Sequence, residues 1–148
     1  MATHAREQIR DAIVTLVTGL TTTSTRVHKS RTYNFAQGAL PCLNVVCESE
    51  ELVDELSSPR HTRIADATFV IEGRAQAKSD LDETLDDIAA EVEKAIAADY
   101  TLSNKAHFIW YQGADIEMSE EGEKPIGMIR LFFRVRYQTT VADPTAIL

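Results

Sequence analysis

Between residues 126 and 139 apolar and polar positions alternate with few breaks. Ile129, Leu131, Phe133, Val135 and Tyr137 fall on one side, and Arg130, Phe132, Arg134 and Arg136 on the other. Successive side chains of a strand point to opposite faces, so this period of two predicts a β-strand with one face on a core. Residues 62–77 repeat the pattern, with Ala65, Ala67, Phe69, Ile71, Gly73 and Ala75 on one face. Ile64, Asp66, Thr68, Val70, Glu72 and Arg74 share the other. The small residues of the first set leave room for a helix to pack closely.

Two stretches carry the helical period instead. Residues 4–19 place Ala5, Ile9, Ala12, Ile13, Leu16 and Leu20 on one stripe, and Gly19 supplies a stop. Val14 lies off that stripe, as a surface residue or part of a subunit contact. Residues 80–98 form a tighter stripe of Leu81, Leu85, Ile88, Val92, Ala95 and Ile96. Ser79 or Asp80 is placed to cap this helix, with Glu83 in the capping-box position. Asp82, Glu83, Asp86 and Asp87 crowd its first turns, where the helix dipole favours negative charge.

Shorter strands are expected at 25–30 and 43–48, the second after Leu40-Pro41, and a longer one at 105–118. The acidic stretch 48–55 reads as a loop, and the polar segment 119–125 as the turn of a hairpin. The order is α-β-β-β-α-β-β. It predicts an α+β fold: a mostly antiparallel, mixed sheet of about five strands with both helices on one face. Residues 1–148 read as a single domain, with 140–148 as an extended C-terminal arm; the sequence contains no internal repeat or linker tract.

Charge and composition narrow the function classes. Fifteen basic against 23 acidic residues give a formal net charge of −8, which disfavours a general nucleic-acid binder. No apolar run reaches the ~18 residues that a membrane span needs, and the N-terminus lacks the apolar core of a signal peptide. A product of the cytosol with no membrane partner is expected. Cys42 and Cys47 lie five positions apart on one strand, hence on opposite faces and about 16 Å apart, far beyond disulfide reach.

Catalytic patterns are missing from the sequence. His4, His28, His61 and His107 fall in separate elements, and the cysteines lack C-x-x-C spacing. There is no G-x-S-x-G, P-loop or G-x-G-x-x-G. The expectation is a protein that is not an enzyme and takes no cofactor or metal. Three features point to interaction instead. Arg130, Arg134 and Arg136 surround Phe132, and arginine with aromatics is the composition of an interface core; a solvated sheet face with a stray Phe fits equally. Phe108, Ile109, Trp110 and Tyr111 are bulky on both faces, as in a doubly covered strand or an oligomer contact. Glu48, Glu50 and Glu51 of the acidic stretch could meet a neighbour's arginines, although such loops are usually just solvated.

Three strings together resemble one known family. REQIRDAIVTLVTGLTTTSTRVHKSR, LPCLNVVCESEE and DLDETLDDIAAEVEKAIAAD followed by TLSN are similar to the tail terminators, the minor tail protein U-like proteins, of long-tailed phages. The likeness spans nearly the whole chain; departures are the lack of a proline near Asn34-Phe35 and of a glycine near Ser103-Asn104. It implies a structural subunit without catalytic residues, assembled as a homohexameric ring on the head-proximal end of the tail tube. Its partners would be itself, the tail tube protein and the head–tail connector, with DNA only in transit through the lumen. Other readings are a head-completion or neck protein, a small cytosolic ligand-binding domain, or a metal-dependent hydrolase using Asp80, Asp82 and Asp86.

Overall fold

The computed structural model describes residues 3–30, 40–77, 79–119 and 125–148. Helix α1 (Ala5–Val17) leads to β1 (Val27–Lys29), β2 (Cys42–Leu52) and β3 (Thr62–Gln76), then helix α2 (Leu81–Ala97), β4 (Phe108–Ser119) and β5 (Ile126–Thr140). The strands form one sheet in the order β1-β2-β3-β5-β4. β1 pairs parallel with β2 and every other neighbour is antiparallel, so the sheet is mixed as the sequence predicts.

Alternation fixes the two faces. On β5 every second residue from Gly127 to Thr139 is buried. In register beside Leu131, Phe133 and Val135 stand Ile71, Phe69 and Ala67 of β3. These side chains, with Leu43 and Val45 of β2, make one core with the apolar stripes of both helices. The small residues of β3 serve close packing: a Cβ on Gly73 would come within 2.7 Å of Ile88 Cγ2 on α2. Among the described residues, neither α1 nor α2 covers the opposite face.

The helix stripes differ from the sequence expectation in detail. α1 buries Ala5, Ile9, Ile13 and Val17, spaced by four, while Ala12, Leu16, Leu20 and also Val14 only flank the core. α2 buries Ala89 in addition to the expected set, and Ala95 is half-buried. Asp80 precedes α2 in the left-handed conformation (φ 61°) and makes no side-chain cap hydrogen bond, so the capping box is not formed. The cap with a side-chain bond is on α1, where His4 Nδ1 accepts from the Arg6 amide at 3.0 Å. Gly19 does stop α1, with φ 90° and its amide bonded to the Ser24 carbonyl. That turn is tied to α2, because the Thr22 amide and hydroxyl both donate to Glu91.

Two strand ends also differ. The acidic stretch read as a loop is strand as far as Leu52, because it continues the β3 ladder past a bulge at Glu48 and only then forms a 3-10 turn, Asp54–Leu56. Residues 141–148 turn back on the domain: Ile147 bridges to Thr139 and packs on the core, and the Pro144 carbonyl accepts the Ala5 amide at 2.9 Å. Cys42 and Cys47 are both free thiols, and their register partners Arg74 and Phe69 put them on opposite faces.

Candidate interface on the helix-free face

The sheet face away from the helices takes its side chains from the polar half of each alternation. β5 contributes Arg130, Phe132, Arg134 and Arg136, and β3 contributes Asp66, Thr68, Val70 and Glu72 directly across from them. β4 adds Phe108 and Trp110 beside Arg136 and Arg134. Opposite charges placed across a ladder attract, and this face is built on that rule.

Each arginine has a different set of partners. Arg136 forms a two-pronged bond to Asp66, Nε to Oδ1 at 2.8 Å and the second prong at 2.9 Å, and its guanidinium lies 5.2 Å from the Phe108 ring centre. The Asp66 carboxylate pushes the Arg136 pKa still higher, so that cation is permanent. Arg130 sits 3.7 Å from both Glu48 and Glu72, and 5.4 Å from the Phe132 ring centre. Arg134 lies 5.4 Å from the centre of Trp110 and, among the described residues, has no carboxylate within ion-pair distance. Phe108 and Trp110 stack on each other at 4.2 Å, so the two cation–aromatic pairs are contiguous.

The acidic residues named from the sequence separate. Glu48 reaches Arg130 of its own chain. Glu51 is exposed on the same face, paired in register with Asp66. Glu50 is on the helix side, where it accepts from the Tyr137 hydroxyl and from Arg6 at 2.9 Å. Strand alternation separates Glu50 from Glu51, and the bulge between Cys47 and Ser49 separates Glu48 from Glu50, so reading 48–55 as a loop concealed that division. Burial first, and then the bond to Glu50, push the Tyr137 phenol well above its usual range. Burial also raises the Cys47 thiol.

Trp110 and Tyr111 are 37% and 38% exposed, because β4 is an outer strand and not a doubly covered one. Asp66 and Glu72, the partners that hold the arginines, were visible in the sequence as acids in the polar phase of β3. Their pairing with those arginines depends on the β3–β5 register, which the alternation leaves open. Among the described residues no group of three His, Cys, Asp or Glu could hold a metal ion. No helix of the described residues is long and apolar enough to cross a membrane.

No family model matches the chain, and no curated protein matches it. Among solved structures it is similar to a chain of the "virion of native gene transfer agent (GTA) particle", at 19% identity and a TM-score of 0.43, over 92% of each chain.

Proposed function

We propose that this chain is a structural subunit of a phage tail: the terminator that forms a ring, six copies round, on the head-proximal end of the tail tube. In that place it stops tube growth and offers the surface to which the head connector joins. It is assembled in the host cytoplasm, works without catalysis, and lets DNA pass through its lumen.

The observation that carries the reading is the helix-free face. A sheet face of this size is ordinarily either polar throughout or covered. Here it presents Trp110, Phe132 and Phe108 among arginines, the residue types enriched at the centre of protein interfaces. The family resemblance of the three sequence strings supplies the identity of the assembly. The acid excess fits it too: six copies at −8 each carry −48, which would repel DNA from a lumen wall. Tube rings stack by head-to-tail contacts that do not close, so growth needs a subunit that binds the last ring and rejects another.

The test is a tube-capping assay. Purified protein is added to polymerising tail tube protein, and tube length and the mass bound per tube end are measured. Shortened tubes with six copies at one end are expected. Unlimited growth with no bound protein would remove the terminator reading.

A further inference from the structure

We propose that two copies of this chain pair antiparallel along the free edge of β4, about a two-fold axis passing through Ala114. The inference does not depend on the terminator reading, because a two-fold contact cannot by itself close a six-membered ring.

β4 is the longer of the two outer strands, 12 residues against three in β1. Its inner neighbour β5 satisfies one side. On the other side, among the described residues, one backbone bond is made: the Ile109 amide donates to the Tyr100 carbonyl at 2.8 Å. Beyond Ile109 the edge is open among the described residues, and it mixes apolar side chains with the acids Asp115 and Glu117. Ile116 and Met118 are 53% and 49% exposed, beside Trp110 and Tyr111. A long open edge is a template for another strand, and its charges select a partner that answers them.

The occupant follows from how this edge matches itself. The register with β5 puts Trp110, Gly113, Asp115 and Glu117 on the helix-free face, and Tyr111, Ala114, Ile116 and Met118 on the helix side, with a bulge between Tyr111 and Gly113. Residues opposite each other in an antiparallel pair share a face. With the axis at Ala114 and the bulged Gln112 left unpaired, Tyr111 of one copy stands opposite Ile116 of the other, and Gly113 opposite Asp115. Trp110 then stands opposite Glu117. Arg134, the cation stacked on Trp110 and without an ion-pair carboxylate among the described residues, therefore gains the Glu117 of the second copy beside it, and this happens twice. Apolar meets apolar on one face, and on the other Glu117 comes beside the Trp110–Arg134 stack, in a single register. Asp115 keeps Arg130 as its neighbour across the β4–β5 ladder.

The experiment measures solution mass at several concentrations for the full chain and its variants, with circular dichroism to confirm folding. All altered side chains are on exposed or half-buried positions, so folded variants are expected. Wild type should run as a dimer or a multiple of one. Glu117→Arg and Arg134→Glu should each weaken pairing at least about tenfold, by placing like charges together. The double variant Glu117→Arg/Arg134→Glu should restore it, as expected where those two positions lie close together across the pair. Ala114→Cys should form a disulfide-linked dimer under mild oxidation, since facing residues across an antiparallel pair have Cα atoms within bridging distance. Leu56→Cys, also exposed but distant from this edge in sequence and sheet position, is the control. A monomeric wild type, a double variant no better than the single ones, or Ala114→Cys linking no faster than Leu56→Cys would each overturn the proposal. A ring that forms and caps tubes while all edge variants behave as wild type removes the pairing and leaves the terminator. A β4-linked dimer that ignores tubes does the reverse.

Discussion

The two faces of the sheet use the same strands and opposite physics. Towards the helices, Phe69, Ile71, Leu131, Phe133 and Val135 are buried against α1 and α2, and hold the fold by area removed from water. On the other side Arg130, Phe132, Arg134 and Arg136 lie half-buried in ion pairs and ring stacks within the chain. The first face has no choice of partner, because the helices are attached to it. The second exposes aromatic area and, among the described residues, leaves Arg134 without an ion-pair partner. On the proposed reading, stability and association fall to different sides of one strand, and adjacent residues of β5 report on them separately.

Phe132 and Phe133 give the sharpest contrast. Phe133 is 1% exposed within the core, and truncation to alanine removes its packing and leaves a cavity. Phe133→Ala should lose about 3–5 kcal/mol in a urea titration. Phe132→Ala, beneath Arg130 on the far face, should lose about 1 kcal/mol, since water and the Arg130 stem can fill the space. Equal losses would mean that the helix-free face is structural core, and the division of labour would fail.

Within the helix-free face the ion pairs should also be unequal. Asp66 holds Arg136 with two bonds and little exposure on either side chain, 17% and 24%. Asp66→Ala leaves that guanidinium without its carboxylate and should destabilise by about 2 kcal/mol. Glu48 is more exposed and sits 3.7 Å from Arg130, which retains Glu72. Glu48→Ala should change stability by less than about 0.5 kcal/mol. The comparison would reverse if thermal unfolding ranked the two variants the other way. It also explains why Arg136→Glu is a poor probe of association: it would set a carboxylate beside Asp66 and disturb the fold itself.

These contrasts rest on features that were legible in the sequence to different depths. The period of two in β3 and β5 and the period of 3.6 in α2 specify faces, so the fold class and the composition of both faces could be read directly. What could not be read is what depends on three-dimensional register. Glu48 and Glu50 lie two residues apart, yet the bulge between Cys47 and Ser49 intervenes, and they end on different faces. The bulk of Phe108–Tyr111 fits a central strand as well as an outer one, and only strand order distinguishes them. The α2 cap was predicted from residue type alone. Asp80 has the right side chain, but its left-handed backbone comes without the expected bond.

Tyr137 separates the two faces by pH instead of by truncation. Its ring belongs to the helix-side core, where it is 1% exposed, and its hydroxyl donates to Glu50, which Arg6 also holds. Burial, and then the Glu50 carboxylate, disfavour the phenolate and raise the folded pKa above the ordinary value near 10. For an acid with a raised folded pKa, the unfolded chain loses its proton first. The stabilisation is therefore complete below the unfolded value and is lost as pH climbs above about 10. Tyr137→Phe should cost about 1 kcal/mol at neutral pH through the lost bond. Above pH 10 the gap between the two proteins should close and then invert, because the phenyl ring of the variant has no proton to lose. The remaining tyrosines are common to both proteins and cancel in the difference. Urea titrations at pH 7, 9 and 11 measure that difference directly, and a gap that stays constant across them would show that Tyr137 ionises as freely folded as unfolded.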